Sequence, residues 1–216
     1  MWRRLLTAVG VIGTTVAIHE GAHAVVAVRS GGKVREIGVG FGPALFRTRM
    51  GGIPVVLRAL PLGGYAAIDI EQMPARRRIP LLLAGPLANI AVGAQLLAAT
   101  QRQPAIRIGD GKPVGFTGFI GTMSALIEAA GQGPGAVARL AGAVNLGVGL
   151  MNLLPIYPLD GGHIAMSAME ARGVSERTRS VFARLSVAIF FLITQMAMVG
   201  DLRRLAANRE QRTGNR

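Results

Sequence analysis

No cysteine occurs anywhere in the 216 residues. That excludes disulfides and thiolate-bound metal, so any metal site must be built from His, Asp and Glu. Histidine is scarce as well, at three residues, which makes the candidate ligands countable. Aromatic residues are 5% of the chain, and none interleave with the basic clusters, which argues against a base-stacking surface for nucleic acid. Acidic residues are few: 11 Asp and Glu face 24 Lys and Arg, a net charge of +13. In a soluble protein such a balance would suggest nucleic acid. Here the basic residues cluster between apolar blocks, and anionic head groups and membrane orientation account for that pattern. Charged residues are only 16% against 50% hydrophobic, whereas a soluble domain carries about 25% charged. The composition therefore indicates a membrane protein, with the lipid bilayer and not nucleic acid as its partner.

A membrane helix needs about 20 mostly apolar residues. Four stretches qualify: 5–28, 79–100, 140–159 and 185–200. Residues 114–131 are apolar but rich in Gly and interrupted by Glu128, and are expected to be interfacial or re-entrant. The first stretch competes with a signal peptide, since MWRR could serve as its basic start and Ala22-His23-Ala24 as its cleavage site. Cleavage there would destroy a spacing of polar residues that makes chemical sense. Between the first two spans, residues 33–68 are rich in Val, Ile and Phe, and Gly51-Gly52 marks a hairpin turn. The expected fold is thus mainly α: a polytopic membrane core over 1–200 with about four transmembrane helices and a small membrane-associated β-hairpin or sheet after the first. Residues 201–216 look like a disordered basic tail. The dense arginines beside the second span, Arg76-Arg77-Arg78, favour a cytoplasmic first loop.

Within the first span lies HEGAH. Residues four apart share a helix face, so His19 and His23 can aim two imidazoles at one point, with Glu20 beside them. This is the H-E-x-x-H arrangement of two zinc ligands and a general base. Zinc lowers the pKa of a bound water to about 7, and Glu20 would take a proton from the attacking water and pass it to the leaving amine. Chance matches to so short a pattern occur. Ionisable groups inside a span, however, cost about 2.5–3.5 kcal/mol each on insertion scales, and a divalent cation would offset that. A catalytic zinc usually takes a third protein ligand. The third span ends in NLLPIYPLDGGH, where Pro155 and Pro158 break the helix. Asp160 is the chosen third ligand and His163 its competitor; a capping or turn role is the alternative for Asp160. Asn152 could donate to a developing oxyanion or to substrate backbone, or simply bond another helix. Asn89, in AGPLAN, could satisfy a carbonyl freed by Pro86.

Four stretches together resemble the site-2 proteases, a family of zinc intramembrane metalloproteases: HEGAH, then VGFGPALF with RALPLGGY, then AGPLAN, then NLLPIYPLDGG. The order is right, and the resemblance runs from about residue 15 to 165. It implies one zinc ion per chain held by His19, His23 and Asp160, with Glu20 as catalytic acid/base and Asn152 near the substrate. The loop after the first span resembles the family's membrane-associated hairpin, thought to present substrate as an added strand; Gly63, Gly64 and Asn89 are the substrate-binding candidates. The activity so implied is hydrolysis of peptide bonds inside transmembrane segments of other proteins, such as anti-sigma factors or signal-peptide remnants, in some cases after an upstream site-1 protease. The implied location is a bacterial-type cell membrane, with the active site toward the cytoplasmic face. Only residues 101–139 separate the second and third spans, too few for the PDZ domain that many bacterial members carry there. The alternative is a metal-binding membrane protein without proteolytic activity, such as a chaperone, sensor or transporter accessory.

Overall fold

The computed structural model describes residues 1–70, 73–102, 106 and 118–214. In chain order the elements are α1 (Trp2–Arg29), β1 (Val34–Met50), β2 (Ile53–Ile68), α2 (Ala75–Thr100), α3 (Phe119–Gln132), α4 (Pro134–Asn152), α5 (Asp160–Ala171) and α6 (Glu176–Gly214). Four helices, α1, α2, α4 and α6, are long and apolar enough to cross a membrane. With 28 residues, α1 is about 42 Å long, more than the ~30 Å hydrocarbon layer. Arg3, Arg4 and Arg29 lie at its ends, where basic side chains suit the head-group region. The 14 residues of α3 give only about 21 Å, too short to cross. They cover most of the stretch expected to be interfacial; residues 114–117 of that stretch lie outside the described residues.

Helices in lipid gain little from hiding apolar surface, so small residues and polar contacts decide which faces meet. The buried face of α1 runs Ala8, Ile12, Thr15, His19, His23 and Ala27, a single stripe at helical spacing. Its polar members thus face protein and not lipid. The packing of α2 on α4 is set by glycine. A side chain at Gly93 would meet the Leu146 backbone nitrogen at 2.6 Å, and one at Gly149 would meet the Pro86 carbonyl at 2.7 Å. Leu6, Leu87, Leu150, Phe191, Leu192 and Met196 are all more than half exposed, which suits a lipid-facing surface and would be a large unprotected patch in water.

Two features differ from the sequence reading. The third helix breaks as the prolines require, but its bounds differ from 140–159: α4 runs Pro134–Asn152, and residues 153–159 form a tight loop before α5. Pro155 disfavours helical backbone in the residue before it, and Asp160 then opens α5, where a carboxylate suits the positive helix end. The fourth helix is far longer than 185–200. It runs on to Gly214 through residues expected to be disordered, because the Leu, Arg, Ala, Glu and Gln there are good helix formers. Asp201 fixes α6 in place. It is buried, and its carboxylate accepts from the backbone N–H groups of Gly118 (3.2 Å) and Gly121 (2.8 Å) at the start of α3. Asp201→Ala should therefore destabilise the protein by about 1–2 kcal/mol, the usual cost of losing such a cap, read as a lower unfolding temperature in detergent. An unchanged transition would mean that α6 is held by other contacts.

The sheet comprises β1 and β2, joined at Gly51-Gly52, both with positive φ as a tight hairpin turn requires. Pairing is continuous from Met50↔Ile53 to Phe46↔Leu57, then shifts through several irregularities. Ile37–Val39 meet Val55–Leu57, and Val34–Val39 also pair with 64–68. The 64–68 segment therefore has β1 on one side. Its other side is not paired with any strand among the described residues, and β2 lies against α1. Phe41, Leu45, Phe46 and Met50 are exposed on the sheet, beside Arg47 and Arg49.

Candidate active site

Three elements meet where the polar stripe of α1 passes α2 and the start of α5. His19 Nε2 lies 2.9 Å from Asp160 Oδ2, and His23 Nε2 lies 3.3 Å from the same oxygen. One ligand atom from each of the three residues lies within 4.8 Å of the others. Both imidazoles are buried and held from behind. His19 Nδ1 is 2.6 Å from Asn89 Oδ1, and His23 Nδ1 is 2.8 Å from the Leu81 carbonyl. Such partners fix ring orientation and tautomer in metal-ligating histidines.

Asp160 reaches this point because the 153–159 loop folds tightly over the first turn of α5. A side chain at Gly161 would meet the Leu154 carbonyl at 2.3 Å, and one at Gly162 would meet the Tyr157 nitrogen at 2.3 Å. The two glycines are what allow the loop to lie so close. Gly85 plays the corresponding part in α2. A side chain there would lie 2.3 Å from His23 Nε2 and 2.8 Å from His19 Nε2. The lack of one keeps the space between the two nitrogens open. Two imidazoles and a carboxylate are a usual donor set for a catalytic divalent metal, and the space at Gly85 leaves room for one, so the residues fit a metal ion.

These groups open onto a cleft of about 350 Å³ lined in part by His19, Glu20, His23, Gly64, Asn152, Asp160 and His163. Glu20 is half-buried on the side of α1 that faces β2. The Ala66 backbone N–H lies near its carboxylate, and Gly64 packs against it, since a side chain at Gly64 would come 2.4 Å from Val16 Cγ1 and 3.3 Å from Glu20 Cγ. Asn152, at the end of α4, lines the cleft while its amide donates to the Val148 carbonyl at 2.9 Å. His163 lines it too, its ring 4.7 Å from that of Tyr157. Nearby on the sheet, the Tyr65 hydroxyl donates to Glu36 and Arg58 donates to the same carboxylate. The Tyr65 hydrogen bond, and then Arg58, hold Glu36 below the usual carboxylate range against an opposing effect of burial.

Two substrate-binding candidates sit elsewhere. Asn89 is fully buried. Its amide nitrogen donates to the Thr15 carbonyl and to Asn145, not to a carbonyl freed by Pro86, while its oxygen faces His19. No polar atom of it is left for substrate. Gly63 has a φ of 138° and backs onto Phe41, away from the cleft lining; its neighbour Gly64 is on the lining. Sequence reasoning passed over Asn145, although an amide in the middle of an apolar span is a signal in itself. The Leu81 carbonyl and Ala66 N–H are backbone groups and left no signal.

Comparison with known proteins agrees with this geometry. Residues 7–193 match the model of peptidase family M50. Zinc metalloprotease Rip1 of Mycobacterium tuberculosis is 34% identical over 148 residues, covering 58% of this chain and 37% of that protein. The regulator of sigma E protease of Haemophilus influenzae is 38% identical over 65 residues, 29% of this chain and 15% of that one. The chain thus spans well under half the length of these relatives. The site-2 protease from Methanocaldococcus jannaschii has the same fold, with a TM-score of 0.50 at 23% identity, covering 90% of this chain and 71% of that one. A family match over most of the chain, four helices long and apolar enough to cross a membrane and a His-His-Asp cluster beside a glutamate lead to one conclusion: this integral membrane protein belongs to peptidase family M50.

Proposed function

We propose that the chain is a zinc-dependent endopeptidase that hydrolyses peptide bonds within transmembrane segments of other proteins. The observation that carries this reading is the cleft itself: His19, Glu20 and His23 on a helix of membrane-crossing length meet Asp160 at the start of α5, beside a strand edge that no strand covers among the described residues. Zinc, when bound by those three residues, supplies Lewis acidity toward water and the scissile carbonyl.

The rest falls to the chain's own groups. A membrane helix keeps its peptide bonds inside its own hydrogen-bond ladder, so it must unwind before it can be cut. The side of 64–68 that no strand covers among the described residues would offer backbone partners to an unwound segment passing beside α1, which would join as an added strand. Tyr65 and Ala66 line the cleft, so a segment bound there passes beside Glu20. Glu20 then takes the proton of the attacking water and returns it to the leaving nitrogen. Asn152, on the cleft wall, is placed to turn its amide from Val148 toward the carbonyl oxygen as charge develops there. A cytoplasmic placement of the cleft accords with Arg76-Arg77-Arg78 in the first turn of α2. The regulator of sigma E protease among the relatives supports a regulatory role; single-span regulators, some already trimmed by a site-1 protease, are the substrates this proposal names.

The test is reconstitution. The full chain in proteoliposomes with a single-span substrate should yield fragments whose new termini, mapped by mass spectrometry, fall inside the span. A chelator should stop their formation, and added zinc should restore it. A zinc-loaded chain that produces none against a panel of such substrates would shift the assignment to a metal-binding membrane protein without proteolytic activity.

A further inference from the structure

Behind His19 a line of polar side chains crosses three helices in the middle of the membrane core. Thr15 lies on α1, one turn before His19; Asn145 is on α4, and Asn89 on α2. All three are buried. The function described above does not use Thr15 or Asn145. Interhelical amide contacts are common in membranes, but here the direction of every bond is determined.

The Thr15 hydroxyl lies 2.9 Å from the Val11 carbonyl, which can only accept, so its one proton goes there. Toward Asn145 the hydroxyl oxygen must therefore accept, from Nδ2 at 2.9 Å. The second proton of that nitrogen goes to the Ala141 carbonyl, also 2.9 Å away. Asn145 is thereby fixed with Oδ1 turned to Asn89, whose Nδ2 lies at 2.8 Å. The other Asn89 proton is directed at the Thr15 carbonyl, 3.2 Å away. Three backbone carbonyls thus set the orientation of both amides, and flipping either one would bring oxygen against oxygen in a buried site. Asn89 is left presenting Oδ1 to His19 Nδ1 at 2.6 Å. An amide oxygen cannot donate, so Nδ1 must carry the proton. A neutral imidazole then has its lone pair on Nε2, the atom beside Asp160.

We propose that Thr15, Asn145 and Asn89 form a directional hydrogen-bond relay that fixes His19 in its Nδ1-protonated tautomer and so selects Nε2 as the metal-binding nitrogen. Thr15 and Asn145 are positioning residues, acting on the metal through Asn89 and His19. His23 needs no such relay, because a backbone carbonyl does the same for it directly. The relay starts and ends on α1, so the ligand is correctly set only when α2 and α4 are both docked. The inference rests on the reading of His19, His23 and Asp160 as metal ligands.

The test uses the purified full chain in detergent, with zinc affinity measured by chelator competition and the visible absorption of the Co²⁺-loaded protein recorded. Asn145→Leu should weaken zinc about 10–100-fold, the range typical of lost partners behind metal-bound histidines, and shift the cobalt bands. Thr15→Val should act in the same direction, and Thr15→Ser should restore wild-type values. Thr15→Val removes a hydroxyl alone and serves if Asn145→Leu does not fold. Wild-type affinity and cobalt spectrum in Asn145→Leu or Thr15→Val, with only a lower unfolding temperature of the metal-free protein, would make the contacts plain helix packing and overturn the relay. A wild-type chain that takes up neither ion would overturn the metal reading, and the relay with it.

Discussion

Glu20→Gln should lower the rate of substrate hydrolysis by about 10²–10⁴-fold, the range supplied by a positioned general acid/base, while the protein still binds zinc. Glutamine keeps the length of the side chain and an oxygen that can face the nearby Ala66 N–H. It cannot take up a proton. His19, His23 and Asp160 are untouched, so metal content should stay at the wild-type level. The same variant in cells should abolish protein fragments that end inside predicted membrane spans. A Gln variant that is zinc-loaded and keeps more than about a tenth of the wild-type rate would remove Glu20 from the proton-transfer role.

The second large effect is expected at Gly85, where two local rules oppose each other. In a helix interior, alanine is favoured over glycine by about 1 kcal/mol, so Gly85→Ala would stabilise α2 if the helix stood alone. In the folded protein the new methyl would lie 2.3 Å from His23 Nε2 and 2.8 Å from His19 Nε2. Those atoms cannot stay where they are. His23 is anchored at Leu81 and His19 at Asn89, so neither ring can move without losing its partner. Zinc affinity should fall by at least ~100-fold, the upper end of what disturbed ligand support costs, and hydrolysis with it. The unfolding temperature of the metal-free protein should fall too, since overpacking and lost buried partners cost about 1–3 kcal/mol each, more than the helix propensity returns. Normal zinc binding by Gly85→Ala would show that the two nitrogens do not converge over this glycine.

Much of the architecture was legible in the chain, because in a membrane protein local composition carries the main physical constraint. Apolar runs of helical length mark the spans, a Gly-Gly pair marks the hairpin, and residues four apart place His19 and His23 on one face whatever surrounds them. Boundaries were less legible. The third run is equally apolar on both sides of Asn152, and the break into α4, loop and α5 depends on prolines and on Gly161 and Gly162 fitting against a loop. Composition misjudged residues 201–214, where polar residues that suggest disorder are also good helix formers, and where Asp201 ties α6 to α3.

The sequence by itself determined that a chain without cysteine must place any metal on histidine and carboxylate, and that two histidines and a glutamate share one turn of a membrane helix. Tertiary structure alone decided the rest of the site. Asp160 and not His163 meets the two imidazoles, because the tight loop turns the first residue of α5 toward α1. It put Asn89 behind His19 instead of in the cleft, gave Gly85 its place between two nitrogens, and joined Thr15 to Asn145 across 130 positions of sequence. Periodicity records which face of its own helix a residue occupies, but which partner that face meets, and at what depth, depends on how separate helices dock.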